Sequence, residues 1–279
     1  DRVKETKEEV SELKANYAAL VSMVDEYFGK LLDYFDNNNL WEDTALILTT
    51  DHGFLLGEHD WWAKNRMPVY NEISHIPLMI YHPGHSKLSG SRIESLTQTI
   101  DIMPTFLDLF NLNIPNDVSG KSLLNILQSD QQIRKALIYG YFGAACNITD
   151  GKHTYFRYPK KMSASGLHEY TLMPTRMTSR FSIRELSEMT LSNPFKFSKG
   201  LQLLKVKPKV SENNEPLEVQ GMTFEDIGSQ LFDVSIDKEQ KFPIDDPEVI
   251  KFLLEEMVKL MKQADAPKAL FERLNLKCN

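Results

Sequence analysis

Thr44-Ala45-Leu46-Ile47-Leu48-Thr49-Thr50-Asp51-His52-Gly53 is the stretch that decides the fold. Its first seven residues are apolar or threonine with no polar alternation, the pattern of a strand buried on both faces of a parallel sheet. Asp51 and His52 then fall where that strand ends, and Gly53 lets the backbone turn sharply. Ligands of open α/β sheets bind at the carboxyl edge of the strands, so an acid and an imidazole placed there mark a candidate site. Taken alone, the tripeptide is explained equally well as a polar turn closing a strand.

The residues on the C-terminal side tip that balance. Leu56-Gly57-Glu58-His59-Asp60-Trp61-Trp62-Ala63-Lys64 gathers ionisable groups and two tryptophans beside the sheet edge, a set that is costly to desolvate without purpose. Ile76 to Tyr81 then supplies a second continuous apolar strand, closed by His82-Pro83-Gly84. Upstream, apolar residues from Val10 to Phe35 recur at spacings of three and four, predicting a long amphipathic helix over about 5–37 that Asn37-Asn38-Asn39 stops. That helix followed by the strand at 44–50 is the α–β step of a doubly wound sheet.

Downstream, Asp101 precedes Ile102-Met103-Pro104-Thr105, an acid-capped helix with proline in its first turn, and Ser119 to Leu127 reads as another short helix. Gly120-Lys121-Ser122 lacks the upstream glycine of a phosphate loop. Ala136 to Phe142 reads as a strand, and Asp150-Gly151 joins two further strands as a hairpin. The pattern dissolves over 160–227, with one helix near Ser182 to Met189. Leu231 to Val234 is a short strand and Pro247 to Met261 an amphipathic helix. The expected organisation is therefore 1–135 as part of a catalytic α/β domain and 136–279 as a smaller subdomain with a variable insertion near 160–227.

Composition narrows the function. The chain has 279 residues, 42% hydrophobic and 25% charged, as an ordinary globular protein does. A net charge of −7 with no basic run argues against a nucleic-acid partner, and an anionic substrate would need local cations. No run of about 18 apolar residues is present to span a membrane. Cys146 and Cys278 are far apart and lack metal-type spacing. The opening on Asp1 is the expected mark of a processed or truncated product.

Thr49-Thr50-Asp51-His52-Gly53, Leu56-Gly57-Glu58-His59, Trp62-Ala63-Lys64 and His75-Ile76-Pro77-Leu78-Met79-Ile80 together resemble the central motif of sulfatases in the alkaline-phosphatase-like superfamily. The iduronate-sulfatase-like and phosphonate-monoesterase-like branches are the nearest. Tyr17 to Asp25, Gln98 to Thr105 and Gln230 to Val234 follow in the family's order. The resemblance implies an α/β fold: a mixed sheet sandwiched by helices, with a smaller C-terminal antiparallel sheet and helix. It implies a sulfuric ester hydrolase, of which this is the C-terminal portion. The alternatives are a phosphonate or phosphate ester hydrolase on the same fold, or a non-catalytic relative acting as a binding or scaffold protein.

By the same resemblance, Asp51 is a ligand of a divalent metal, His52 ligates that metal or holds a substrate oxygen, and Lys64 is catalytic, set against the oxygens of the transferred group. His59 is a second catalytic candidate, as general acid or as a cap on the loop. The implied cofactor is a divalent metal, Ca2+ first and Mn2+, Mg2+ or Zn2+ as alternatives, because a carboxylate suits hard cations while an imidazole favours softer ones. The implied partners are an anionic sulfate-ester substrate, a sulfated sugar or an aryl sulfate, and the N-terminal half of the same enzyme. A formylglycine nucleophile, made in this family from a Cys/Ser-x-Pro-x-Arg motif, is expected outside this chain because no such motif occurs in it. Without that nucleophile, the segment alone is expected to be inactive.

Overall fold

The computed structural model describes residues 2–163, 166–173, 175–176, 179–208 and 225–277. Helix α1 (Lys7–Asn37) opens on a capping box. The Glu9 amide donates to the Thr6 hydroxyl at 3.2 Å and the Thr6 amide to the Glu9 carboxylate at 2.8 Å, which satisfies two otherwise unpaired donors. The predicted apolar stripe is there, but Phe35 is its only buried residue, and Leu20 and Val24 are 57% and 58% exposed. Among the described residues little covers this helix; the stack of Tyr17 on Phe54, with centroids 5.9 Å apart, is one contact that does.

The chain continues through β1 (Leu46–Thr49), β2 (Leu55–Leu56), β3 (Trp62–Ala63), α2 (Asn71–Ser74) and β4 (Leu78–Tyr81). β1 pairs antiparallel with β4, Leu46 opposite Tyr81 and Thr49 opposite Leu78. This corrects the expectation of a strand buried on both faces of a parallel sheet: all four residues of β1 are half-buried. A continuous apolar run states what environment a strand suits, and it carries no information about the direction of its neighbour.

Helix α3 (Ile102–Leu109) follows, but Asp101 does not cap it with its side chain. Instead the wholly buried Asp101 carboxylate accepts from the amides of Gln98 and Lys121, both at 2.8 Å, and takes two hydrogen bonds of 2.6 Å from the Arg134 guanidinium. The same contact explains why Ser119 to Asn125 is not helical and only α4 (Ile126–Ser129) forms. Gly120 lies so close to the Ile100 carbonyl that a Cβ there would sit 1.9 Å from its oxygen, and the Lys121 amide is committed to Asp101.

Strands β5 (Leu137–Gly140), β6 (Cys146–Thr149) and β7 (His153–Arg157) come next. The β6–β7 hairpin turns on Gly151 and Lys152, one residue beyond the predicted centre, with the Asp150 amide donating to the His153 carbonyl at 3.2 Å. The predicted insertion contains β8 (Glu169–Thr171), α5 (Ile183–Ser187), β9 (Thr190–Leu191) and β10 (Leu204–Val206), paired antiparallel in the order β8-β10-β9. Its remainder, 209–224, lies outside the described residues. β11 (Gln230–Asp233), α6 (Pro247–Gln263) and α7 (Lys268–Arg273) complete the fold.

β11, β7, β6 and β5 make one antiparallel sheet in that order, and its two faces do different work. Ile148, Tyr155 and Leu231 alternate onto one face, beneath Leu253, Met257 and Met261 of α6 and Phe271 of α7. Phe156 and Phe232 point to the other, where they meet Met67 and Tyr70 from the loop between β3 and α2. The sheet thus rests on a helix and carries the candidate site loop on its opposite side.

Candidate active site

The loop is closed at its base by two backbone hydrogen bonds, from the Gly53 amide to the Ile73 carbonyl at 2.8 Å and from the Phe54 amide to the Glu72 carbonyl at 3.0 Å. A Cβ on Gly53 would stand 1.8 Å from the Glu72 carbonyl oxygen, so only glycine allows this approach. Within the loop β2 pairs with β3, Leu55 opposite Ala63. His59, Asp60 and Ala63 all have positive φ, at 54°, 65° and 73°. Left-handed backbone costs a residue with a side chain about 1 kcal/mol or more, so packing must hold this cluster in place. Leu55, Trp61, Val69 and Ile73, with Tyr139 and Tyr141 against them, provide that packing.

Three of the four sequence-predicted residues converge. The Lys64 ammonium lies against Nε2 of His52. Nδ1 of His52 is 2.8 Å from the Gly53 carbonyl, which places the ring proton there and turns the Nε2 lone pair toward the Lys64 ammonium. Nε2 is also 3.4 Å from an Asp51 carboxylate oxygen, and the other Asp51 oxygen accepts from the His52 amide at 3.0 Å. The Asp51 side chain is 81% exposed. Desolvation raises the Asp51 pKa, but the adjacent His52 ring, the amides of Asp51 and His52 and the charge of Lys64 together outweigh it and hold the carboxyl below its ordinary value.

His59 sits elsewhere in the loop. Its ring stacks on Tyr70, centroids 3.6 Å apart and planes 4° from parallel, and its Nε2 lies 3.5 Å from a Glu72 carboxylate oxygen. That side chain is 9% exposed, and its described partners do not include Asp51, His52 or Lys64. Trp61 is buried core, whereas Trp62 is half-exposed and its indole donates to Glu5 at 2.7 Å. Glu58 accepts from the Leu56 amide at 2.5 Å and Lys14 at 3.1 Å, and Asp60 pairs with Arg2 at 3.2 Å, so both are loop acceptors.

Sequence reasoning missed Arg66 and Tyr141. Arg66 is 2% exposed, donates to the Met67 carbonyl at 2.7 Å, pairs with Glu225 at 3.2 Å and lies 4.2 Å over the Trp61 ring. Its place two positions after Lys64 was the available signal. Tyr141, 77 residues from Lys64, donates its hydroxyl to the Lys64 carbonyl at 2.6 Å, and nothing local in the sequence announces that bond.

As metal donors, Asp51 and His52 fit a partial set. The exposed Asp51 carboxylate stands beside Nε2 of His52, whose lone pair the Lys64 ammonium occupies here, and among the described residues no group of three metal-ligating side chains occurs. A hard cation takes six or more oxygen ligands, so these two residues cannot complete a shell by themselves. Cys146 offers no alternative nucleophile, because burial pushes its thiol up to about 12 and only the thiolate attacks.

The Sulfatase family profile matches residues 1–112, and the profile for the C-terminal region of N-sulphoglucosamine sulphohydrolase matches 57–172. An N-acetylglucosamine-6-O-sulfatase of Bacteroides thetaiotaomicron is 28% identical over 221 residues, 75% of this chain and 38% of that protein. Human arylsulfatase K is 32% identical over 119 residues, 43% of this chain and 22% of that one. The chain thus spans well under half the length of these curated relatives.

Among solved structures, a protein in complex with its substrate D-glucosamine-2-N,6-O-disulfate superposes with a TM-score of 0.58 at 19% identity, over 89% of this chain and 40% of that one. A phosphonate monoester hydrolase of Silicibacter pomeroyi superposes with a TM-score of 0.51 at 28% identity, over 56% of this chain and 34% of that one. The motif that joins Asp51, His52 and Lys64 lies inside the residues that the Sulfatase profile matches, and over residues 1–172 the chain is similar to sulfatases.

Proposed function

We propose that this chain is the C-terminal portion of a sulfuric ester hydrolase and that Lys64, His52 and Asp51 form its share of the active site. The convergence of Lys64 on His52 and Asp51 carries the reading, because it concentrates a cation and two metal-type donors at one exposed point of an otherwise acidic protein. Hydrolysis of a sulfate ester breaks the sulfur–oxygen bond and leaves charge on the departing oxygen and the non-bridging oxygens. The Lys64 ammonium is set to stabilise that charge. His52, fixed by Gly53, presents Nε2 to the same point and orients either a substrate oxygen or a bound cation. A divalent cation, with calcium the first candidate, would be held by Asp51 and His52 and would polarise the sulfate oxygens. The nucleophile, a formylglycine, comes from outside this sequence.

His59 serves in this reading as a brace, since stacking and burial hold it against Tyr70 and Glu72. The names of the relatives point to sulfated amino sugars as the substrate class. The test is a parallel assay of the complete protein with 4-nitrophenyl sulfate, N-acetylglucosamine 6-sulfate and an aryl phosphonate. Sulfate release from the sugar or the aryl ester at rates well above phosphonate hydrolysis is the expected result, and a preference for the phosphonate or no turnover at all overturns the assignment.

A further inference from the structure

We infer that Tyr141 is a positioning residue for Lys64: its hydroxyl ties the lysine's carbonyl to the four-stranded sheet and so fixes where the ammonium stands. The inference rests on the role proposed for Lys64. Regular structure does little to hold that residue. It follows a strand of two residues, and its neighbour Ala63 is in the left-handed region at φ 73°. The lysine side chain is a flexible four-carbon stem, so the placement of its ammonium depends on the placement of its backbone.

Two donors meet at the Lys64 carbonyl, the Tyr141 hydroxyl at 2.6 Å and the Arg66 amide at 3.0 Å. The second is local to the loop and moves with it. Tyr141 belongs instead to the segment just after β5, so its bond anchors the loop to a different part of the fold. The ring is well placed as an anchor, because it packs against both the Leu55–Trp61–Ile73 cluster and the Met67–Tyr70–Phe156 cluster. Burial pushes the phenol's pKa above its ordinary value, so the hydroxyl remains a donor through neutral pH. The C-terminal sheet then serves the chemistry by registering the catalytic loop as well as by packing beneath it.

A double-mutant cycle on the complete protein separates this role from plain packing. Tyr141→Phe removes the hydroxyl and keeps the ring. With an aryl sulfate it is expected to lower kcat by about 10- to 100-fold, the scale of loss from an ångström of misplacement, with KM held within about twofold. In a Lys64→Ala background the same change is expected to alter kcat by less than about twofold, since no ammonium is left to misplace. Calorimetric titration with inorganic vanadate repeats the cycle as an affinity measurement. An active wild type in which Tyr141→Phe has no effect on kcat, or costs the same factor in both backgrounds, overturns the inference and leaves the proposed function standing. A wild type that neither hydrolyses the esters nor binds vanadate overturns the role of Lys64, and this inference falls with it.

Discussion

The Lys64 ammonium rests against Nε2 of His52, while the opposite nitrogen of that ring is pinned to the Gly53 carbonyl at 2.8 Å. The imidazole is therefore oriented before any substrate arrives. Lys64→Ala removes the charge and is expected to lower kcat/KM for a sulfate ester by about 100-fold or more, as loss of an oxyanion-stabilising donor does. Lys64→Arg keeps the charge but brings a planar fork to a place shaped for a compact ammonium, so only part of the activity should return. Steady-state kinetics of the three proteins checks both statements, and an alanine variant as active as the wild type would remove Lys64 from the chemistry.

Gly53→Ala tests the base of the loop. The added methyl would meet the Glu72 carbonyl at 1.8 Å, and the obstacle is backbone, so the two segments must separate and give up the hydrogen bonds that join them. A destabilisation of about 3 kcal/mol is expected, read as a lowered melting temperature, with activity lost even below that temperature because His52 is displaced. The same substitution at Gly29, whose added methyl would meet nothing within 4 Å, is the control and should raise helix stability slightly.

What the sequence disclosed follows a physical division. The apolar run at Leu46 to Thr49, the threes and fours of α6 and the turn at Asp150-Gly151 are local signals, and each produced an element close to where it was expected. The direction of a neighbouring strand is not a local signal: the run at 44–50 suggests a parallel sheet, whereas β1 pairs antiparallel with β4. Asp101 was read as a cap because it precedes a helix, whereas its real partner, Arg134, stands 33 residues on. Of the candidate site, the proximity of Asp51, His52 and Lys64 was legible because the motif holds them within fourteen residues. Tyr141 was not, since its bond to Lys64 exists only once the sheet has formed.

Cys146 makes a pH prediction. Burial pushes its thiol up to about 12 from an ordinary value of 9. The folded state therefore holds the proton more tightly than the unfolded chain, so this group's contribution is intact below pH 9 and is lost as pH rises from 9 toward 12. At pH 8 iodoacetamide should leave Cys146 unmodified in the folded protein and modify it readily after denaturation, as peptide-resolved mass spectrometry would show. Rapid native labelling would mean that the thiol is not shielded in this way.

Asp101 and Arg134 test what binds the two sides of residue 120 together. The carboxylate is wholly buried, takes both guanidinium hydrogen bonds at 2.6 Å and accepts two amides, from Gln98 and Lys121. Arg134→Met leaves that buried charge with only the amides to compensate it and should cost about 3–5 kcal/mol, because a broken buried pair strands the surviving ion. Asp101→Asn keeps the shape but turns one acceptor oxygen into a donor facing other donors, so it should be nearly as harmful. Combining the two substitutions removes the stranded charge, and the double variant is expected to lose less than the sum of the single losses. Urea unfolding of the four proteins measures this directly. Strict additivity would show that the two side chains act independently, and that the bend carrying Gly120 past Ile100 is held by packing alone.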